Sequence, residues 1–254
     1  MLPLVSIITP AFNSAATLRD TLDSVCRQDY PALEHIIVDG GSSDGTQNLV
    51  LQSGSQARLI SEPDRGLYDA INKGLNVAAG DIVGVLNSDD FYCHDRVISR
   101  VVDLMNRQNA DVAYGDLCYV AAADARRVVR YWRSGEYRRK KFLYGWMPPH
   151  PTFFVRKKVY AQLGGFDLAL HIAADYELML RFLFRHGLNA AYLPEVLVYM
   201  RTGGLSNASF RHRLQANRED REAWRRNGLR PYFFTTWLKP LRKIPQYFLP
   251  PPTL

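Results

Sequence analysis

The chain of 254 residues is 47% hydrophobic, 22% charged and 12% aromatic, which suits one substantial core with a small appendage and excludes a disordered, fibrous or repeat protein. Its formal charge of +7 implies attraction to an anionic partner: nucleotide phosphates, acidic lipid headgroups or nucleic acid. The three cysteines, Cys26, Cys93 and Cys118, form no CxxC pair, so no disulfide framework or zinc knuckle is readable.

Residues 5–10 are apolar and β-branched and predict a strand. Asn13 or Ser14 follows as a helix cap, and Leu18, Leu22, Val25 and Cys26 then recur at helical spacing. A second apolar run at 35–38 stops at Asp39-Gly-Gly-Ser-Ser-Asp-Gly-Thr, a tight loop before another helical stretch. A third strand is expected at 58–61, a helix at 66–78 and a fourth strand at 82–86, ending on Asn87-Ser-Asp-Asp. This alternation predicts an α/β fold with a mostly parallel central sheet flanked by helices.

Ligands of such sheets bind beyond the carboxyl ends of the strands. Polar clusters at 9–13, 39–44 and 87–90 all fall at those ends and should converge on one crevice. Farther on, a helix is expected near 95–107, a strand near 112–116, a basic and aromatic stretch over 126–146, a strand at 152–155 and helices at 157–163 and 174–186. From 210 onward a polar helix leads into a basic, aromatic tail that reads as an appendage. No basic leader and no run of about 18 apolar residues is present, so a cytoplasmic location is expected, peripheral on the inner face of the cell membrane if the tail binds lipid.

Alternation along an extended segment puts Asn87 and Asp89 on one side. A carboxylate beside a polar oxygen suits a hard divalent cation whose shell phosphates complete, so Asp89 is the first metal ligand expected, for Mn²⁺ or Mg²⁺. The alternative is a solvated turn capping the next helix. Asp39, at a strand end, is placed to accept hydrogen bonds from a base or ribose, or to cap its own Gly-Gly turn.

Four segments together carry a resemblance: Ile8-Thr-Pro-Ala-Phe-Asn, Ile37-Val-Asp-Gly-Gly-Ser-Ser-Asp-Gly-Thr, Glu62-Pro-Asp-Arg-Gly-Leu-Tyr-Asp-Ala-Ile-Asn-Lys-Gly and Gly80-Asp-Ile-Val-Gly-Val-Leu-Asn-Ser-Asp-Asp. In this order and spacing they resemble family 2 glycosyltransferases of the GT-A fold, bacterial surface-polysaccharide type. Looser correspondence runs through His150-Pro-Thr-Phe-Phe-Val, Gly164-Gly-Phe-Asp and Ala173-Ala-Asp-Tyr-Glu to about residue 205.

The resemblance implies a GT-A catalytic domain over 1–208, with a nucleotide-sugar half at 1–90 and an acceptor half at 91–208, followed by the helical tail at 209–254. It implies that Thr9, Pro10 and Asn13 line the nucleotide pocket, that Asp39 contacts the base, and that Asp64, Arg65, Asn72, Lys73, Asn87 and Ser88 serve the nucleotide-sugar. Asn87 stands where the first acid of Asp-x-Asp is usual, which leaves the metal leaning on Asp89. Ile71 replaces a usual arginine, with Arg65 or Lys73 to supply positive charge.

Asp175 is implied as the catalytic base ahead of a helix; its rival is Glu177, and helix capping is the structural alternative. One base with no covalent nucleophile implies inversion at the anomeric carbon. His150, held between two prolines, and more weakly His171, are candidates to touch the acceptor or a phosphate; Arg138 and Lys140 are candidates for a lipid-linked acceptor. In the tail Lys239, Arg242 and Lys243 alternate with aromatics, which suits an anionic membrane surface. The expected partners are a UDP-, GDP- or dTDP-sugar and a glycan or lipid-linked acceptor, without nucleic acid, for want of a recognised module. A nucleotidyltransferase would carry a glycine-rich basic loop after its first strand, and Pro10-Ala-Phe-Asn-Ser replaces it. The alternative from another class is a nucleotide-sugar sensor or membrane scaffold without turnover, for which the Asn87 substitution gives some footing.

Overall fold

The computed structural model describes residues 2–203 and 210–250, the side chains of 210–213 excepted. Nine strands form one sheet: β1 (Val5–Ala11), β2 (Leu33–Asp39), β3 (Arg58–Ser61), β4 (Ile82–Val85), β5 (Phe91–Tyr92), β6 (Val112–Ala121), β7 (Asp124–Trp132), β8 (Phe154–Arg156) and β9 (Ala190–Arg201). The order is β3-β2-β1-β4-β8-β6-β9-β5, with β7 on β6.

The first four strands are parallel, as the βαβ alternation requires, and β9 runs parallel to β6. β8 lies antiparallel between β4 and β6 and joins the two halves into one sheet. The helices are α1 (Leu18–Cys26), α2 (Thr46–Gln52), α3 (Leu67–Val77), α4 (Val97–Arg107), α5 (Lys157–Leu163), α6 (Ala174–Met179), α7 (Phe210–Arg226) and α8 (Thr235–Leu241).

Strand alternation sorts the core into two layers. Ile8, Ile36, Val83 and Val85 face α3 and α6 through Ile71, Tyr176 and Leu178. Val5, Ile7 and Ile82 face α1 and α4 through Val25, Ile98, Val101 and Met105. Gly74 lets α3 lie close on β1: a Cβ there would meet the Ile8 side chain at 2.4 Å.

Beyond β4 the structure departs from the periodicity. The stretch 126–146 holds β7 and a 3₁₀ turn (Arg139–Tyr144), and the strand expected at 152–155 begins only at Phe154, after a 3₁₀ turn over His150–Thr152. The helix expected over 174–186 is α-helical only to Met179, then a π turn over Leu180–Arg185.

The segment after 209 is not a detached appendage. The Trp224 side chain of α7 is fully buried, and its indole N–H donates to the Tyr176 hydroxyl at 3.0 Å. The boundary expected at 208/209 lies outside the described residues. Among the described residues no helix is long and apolar enough to cross a membrane.

Candidate active site

The loop after β1 joins the other strand ends. The Ser14 carbonyl accepts from the N–H groups of Thr17 and Leu18 at 3.0 and 2.9 Å and opens α1, while its own N–H donates to the Thr46 hydroxyl at 2.8 Å and its hydroxyl meets that of Ser88 at 2.8 Å. Asn13, in the left-handed region at φ +48°, donates its N–H to the Ser42 hydroxyl at 2.8 Å and accepts from Ser43 N–H at 3.0 Å. Thr17 donates to the Ser88 carbonyl at 2.9 Å. The three polar clusters therefore converge.

Within them several expected nucleotide contacts are already engaged. Thr9 is fully buried and its hydroxyl is 2.9 Å from Nε2 of His35, so it lies inside the sheet rather than on a pocket wall; Pro10 is buried opposite Val38. The Asp39 carboxylate accepts from Ser61 at 2.7 Å, from Gln47 at 3.0 Å, from the N–H groups of Gly41 and Ser42 at 3.2 and 3.1 Å, and from the Ser42 hydroxyl. Burial alone pushes its pKa up, but these bonds outweigh burial and hold it below the ordinary value. As placed, Asp39 shapes its loop.

Asp64 accepts from Gly66 N–H at 2.8 Å and packs against Gly40, where a Cβ would meet its carboxylate at 2.4 Å. Arg65 is exposed and pairs with Asp69 at 3.2 Å, and Lys73 pairs with Glu62 at 2.9 Å. Neither cation lines the cavity that holds Asn87 and Asp175. Asn72 is turned the other way: its amide makes two bonds to the backbone of Phe166, locking α3 to the loop of Gly164 and Gly165.

At the end of β4, Asn87 donates to Asp90 Oδ2 at 2.9 Å, which leaves Asn87 Oδ1 and Asp90 Oδ1 buried without a donor among the described residues. Burial, with the Asp89 charge next, pushes Asp90 well above the usual carboxylate range, and burial likewise raises Asp89, opposed by Arg201. Arg201, at the end of β9, donates to the Asp89 carbonyl at 2.9 Å and pairs with Asp20.

No group of three or more His, Cys, Asp or Glu side chains gathers for a metal among the described residues. What is present is one half-buried carboxylate, Asp89, near an orphaned amide oxygen. That hard-oxygen pair fits a Mg²⁺ or Mn²⁺ whose remaining ligands are phosphate and water, and not a fully protein-bound ion.

A cavity of about 460 Å³ opens beside this segment and brings together Asn87, His150, Asp175 and Arg201 with Tyr68 from α3. Asp175 sits in the first turn of α6, where Ala173 has no side chain to cap the helix. The cap comes from α7: Glu219 accepts from the N–H groups of Ile172 and Ala173 at 2.7 and 3.0 Å. The Tyr68 hydroxyl donates to the Ile172 carbonyl at 2.9 Å and lies 3.4 Å from Asp175 Oδ1.

His150 packs edge-on against Phe166 with 5.4 Å between centroids; burial pushes its pKa down, with Asp175 opposing, so the imidazole is largely neutral at pH 7. Glu177 points into the core: it is 4% exposed and takes a two-bond fork from Arg181 at 3.0 and 2.9 Å. His171 is exposed and, like Asp89 itself, does not line the cavity. Arg138 and Lys140 are exposed and lie off it too. Sequence reasoning missed Tyr68, Glu219 and Arg201; the only signal for Arg201 was a lone cation closing the apolar run 196–200.

An open parallel sheet with helices on both faces, extended by a mixed half and carrying an Asn-Ser-Asp segment at its fourth strand end, defines a GT-A fold. The family model "Glycosyl transferase family 2" matches residues 6–164, and the chain belongs to that family. It is 30% identical over 211 residues to a PGL/p-HBAD biosynthesis glycosyltransferase of Mycobacterium bovis, covering 81% of this chain and 80% of the relative. It is 35% identical over 187 residues to an uncharacterized glycosyltransferase of Mycobacterium tuberculosis, covering 70% and 68%.

Among solved structures, S. aureus TarS 1-349 in complex with UDP-GlcNAc has a TM-score of 0.68 at 18% identity, covering 88% of this chain and 65% of that one. The mannosyltransferase PcManGT from Pyrobaculum calidifontis in complex with GDP-Man and Mn²⁺ has a TM-score of 0.66 at 20% identity, covering 94% and 68%. The match spans about two thirds of each of these longer chains.

Proposed function

We propose that this glycosyltransferase moves a sugar from a nucleotide diphospho-sugar to an acceptor hydroxyl with inversion, and that it serves surface polysaccharide or glycolipid assembly. The observation that carries the reading is the shared cavity, which sets Asp175 beside the Asn87 segment at the carboxyl ends of the strands. In the transfer the acceptor oxygen bonds to the anomeric carbon, the bond from that carbon to the phosphate oxygen breaks, and the nucleoside diphosphate departs with the bonding pair. The acceptor proton passes to the Asp175 carboxylate, which Tyr68 and the Glu219 cap hold in place.

Asp89, with Asn87 Oδ1, would hold a divalent cation, which when bound neutralises charge on the diphosphate. Arg201, itself paired with Asp20, holds the same segment through the Asp89 carbonyl. The donor nucleotide is read to lie over the first three strand ends, on the surface of Asn13 and Asp64 above the buried Asp39. Two mycobacterial relatives named as glycosyltransferases, and neighbours bound to UDP-GlcNAc and GDP-Man, support the donor class.

The aromatic side of the tail is read as a lipid-facing surface: Phe233 and Phe248 are 88% and 82% exposed, and Trp237 and Tyr247 are exposed as well. Such an arrangement suits aromatics entering a headgroup boundary. The test of the whole reading is nucleoside diphosphate release from UDP-, GDP- and dTDP-sugars with Mn²⁺, Mg²⁺ or EDTA, using membrane lipid extract as acceptor source. Metal-dependent release from one donor, lost in Asp175→Asn, supports it; no binding of any donor sinks it.

A further inference from the structure

The wall of the cavity opposite Asn87 comes largely from the end of the chain. Lys239, Arg242, Lys243 and Gln246 line it, with Asp220 of α7. Lys239 is neutralised: its Nζ is 2.5 Å from Asp220 Oδ1 and 3.8 Å from the centre of the Tyr176 ring. Arg201, also on the cavity, is paired with Asp20. Arg242 and Lys243 have no ion-pair partner among the described residues.

A further cation stands behind this wall, near Tyr247, without an ion-pair partner among the described residues. Arg130 of β7, 6% exposed, lies 3.6 Å over the Tyr119 ring, with Nε and Nη2 unpartnered among the described residues. Burial, then the cations of Lys239 and Arg130, lower the Lys243 pKa to about 8, although Asp220 and Asp175 oppose this. An unbalanced, partly desolvated cluster of ammonium and guanidinium groups is what a phosphate group satisfies. The Gln246 amide oxygen, on the same wall, has no donor among the described residues and suits a ligand hydroxyl.

We propose that Lys243 and Arg242 form a phosphate subsite for the acceptor, so that the acceptor is a phosphorylated molecule whose reacting hydroxyl lies at Asp175. This rests on the glycosyltransferase reading and adds the acceptor class. The subsite is assigned to the acceptor side because Arg242 and Lys243 line the same cavity as Asp175, whereas Asp89 lies off that cavity with its carbonyl held by Arg201. A phosphate on a lipid carrier and one on a soluble sugar share this chemistry.

The test titrates the full chain by calorimetry with dodecyl phosphate, glucose 1-phosphate and uncharged dodecyl maltoside, with and without a saturating nucleoside diphosphate and Mn²⁺. Phosphate binding that persists when the nucleoside diphosphate is bound, weakens about tenfold in Lys243→Gln and Arg242→Gln, and returns in Lys243→Arg is the expected result. Tighter binding of dodecyl phosphate would name a lipid source, and equal or tighter glucose 1-phosphate a soluble one. Equal loss of nucleoside diphosphate affinity in Lys243→Gln would assign these cations to the donor and overturn the proposal, as would no phosphate binding by the wild type in either condition. Failure of the donor reading itself shows separately, as no nucleoside diphosphate bound by a wild type that still binds dodecyl phosphate.

Discussion

The side-chain amide of Asn72 closes a two-bond ring on the backbone of Phe166, donating to its carbonyl at 2.8 Å and accepting its N–H at 2.9 Å. The residues are far apart in sequence, so this ring ties α3, in the donor half, to the loop before α6. Gly165 is required beside it, because a Cβ there would meet Asn72 Oδ1 at 2.5 Å. Asn72, expected to serve the nucleotide-sugar, has its amide engaged in this latch.

Asn72→Ala should therefore destabilise the fold by roughly 2–3 kcal/mol, since two backbone groups lose their partners. Urea melts read the loss. Nucleoside diphosphate affinity, measured well below the melting range, should stay within about twofold of wild type; a tenfold loss there with an unchanged melt would restore the ligand role.

The two acids of Ala173-Ala-Asp-Tyr-Glu should separate cleanly. Asp175→Asn should lower transfer by about 10²–10⁴ in kcat while the melt and donor binding change little, the loss expected of a general base. Glu177→Gln breaks the Arg181 fork instead, which leaves a buried guanidinium that also holds the carbonyls of Gly164 and Gly165 at 3.1 and 2.6 Å. Its cost should appear in stability, roughly 3 kcal/mol or more. The reverse pattern would make Glu177 the base.

The first half of the fold was legible because β1, β4 and the end of β2 are buried, largely apolar runs, each stopped by a polar turn. β7 was not, because Arg126, Arg127 and Arg130 interrupt it and it hangs on the sheet through β6 alone. β9 was hidden by Pro194, which lies where the β6–β9 register shifts between Tyr114 and Asp116. In the site, motif position named Asn87 and Asp175, which line the cavity, and also Arg65, Asn72 and Lys73, each of which has a protein partner in this structure. Residue type gives a group's bonding capacity; which partner takes it up depends on contacts such as Arg201 to Asp89, which sequence spacing does not encode.

The Asn87 segment predicts a metal dependence carried by one carboxylate. Asp89→Ala should lower donor turnover at least about a hundredfold and abolish its response to Mn²⁺ or Mg²⁺, whereas EDTA should bring wild type to the same level. Asn87→Asp should bind Mn²⁺ more tightly but lose stability without metal, because a third carboxylate would stand beside Asp89 and the buried Asp90. Turnover unaffected by either EDTA or Asp89→Ala would remove the metal from the reading.

His35 gives the fold a built-in acid sensitivity. It is 8% exposed with Nε2 at 2.9 Å from the Thr9 hydroxyl, and burial lowers its pKa from 6.5 to about 3. The unfolded chain therefore takes up a proton below pH 6.5 that the folded chain refuses until about pH 3. The stability tied to the neutral ring is fully present above pH 6.5 and is lost as pH falls toward 3, at up to about 1.4 kcal/mol per pH unit. His35→Gln keeps a polar side chain facing Thr9 but does not titrate. Its unfolding free energy should be lower than wild type at pH 7.5, and the gap between the two should close between about pH 6.5 and pH 4. A gap that stays constant over this range would show that the ring titrates alike in both states and that its burial does not set the acid stability.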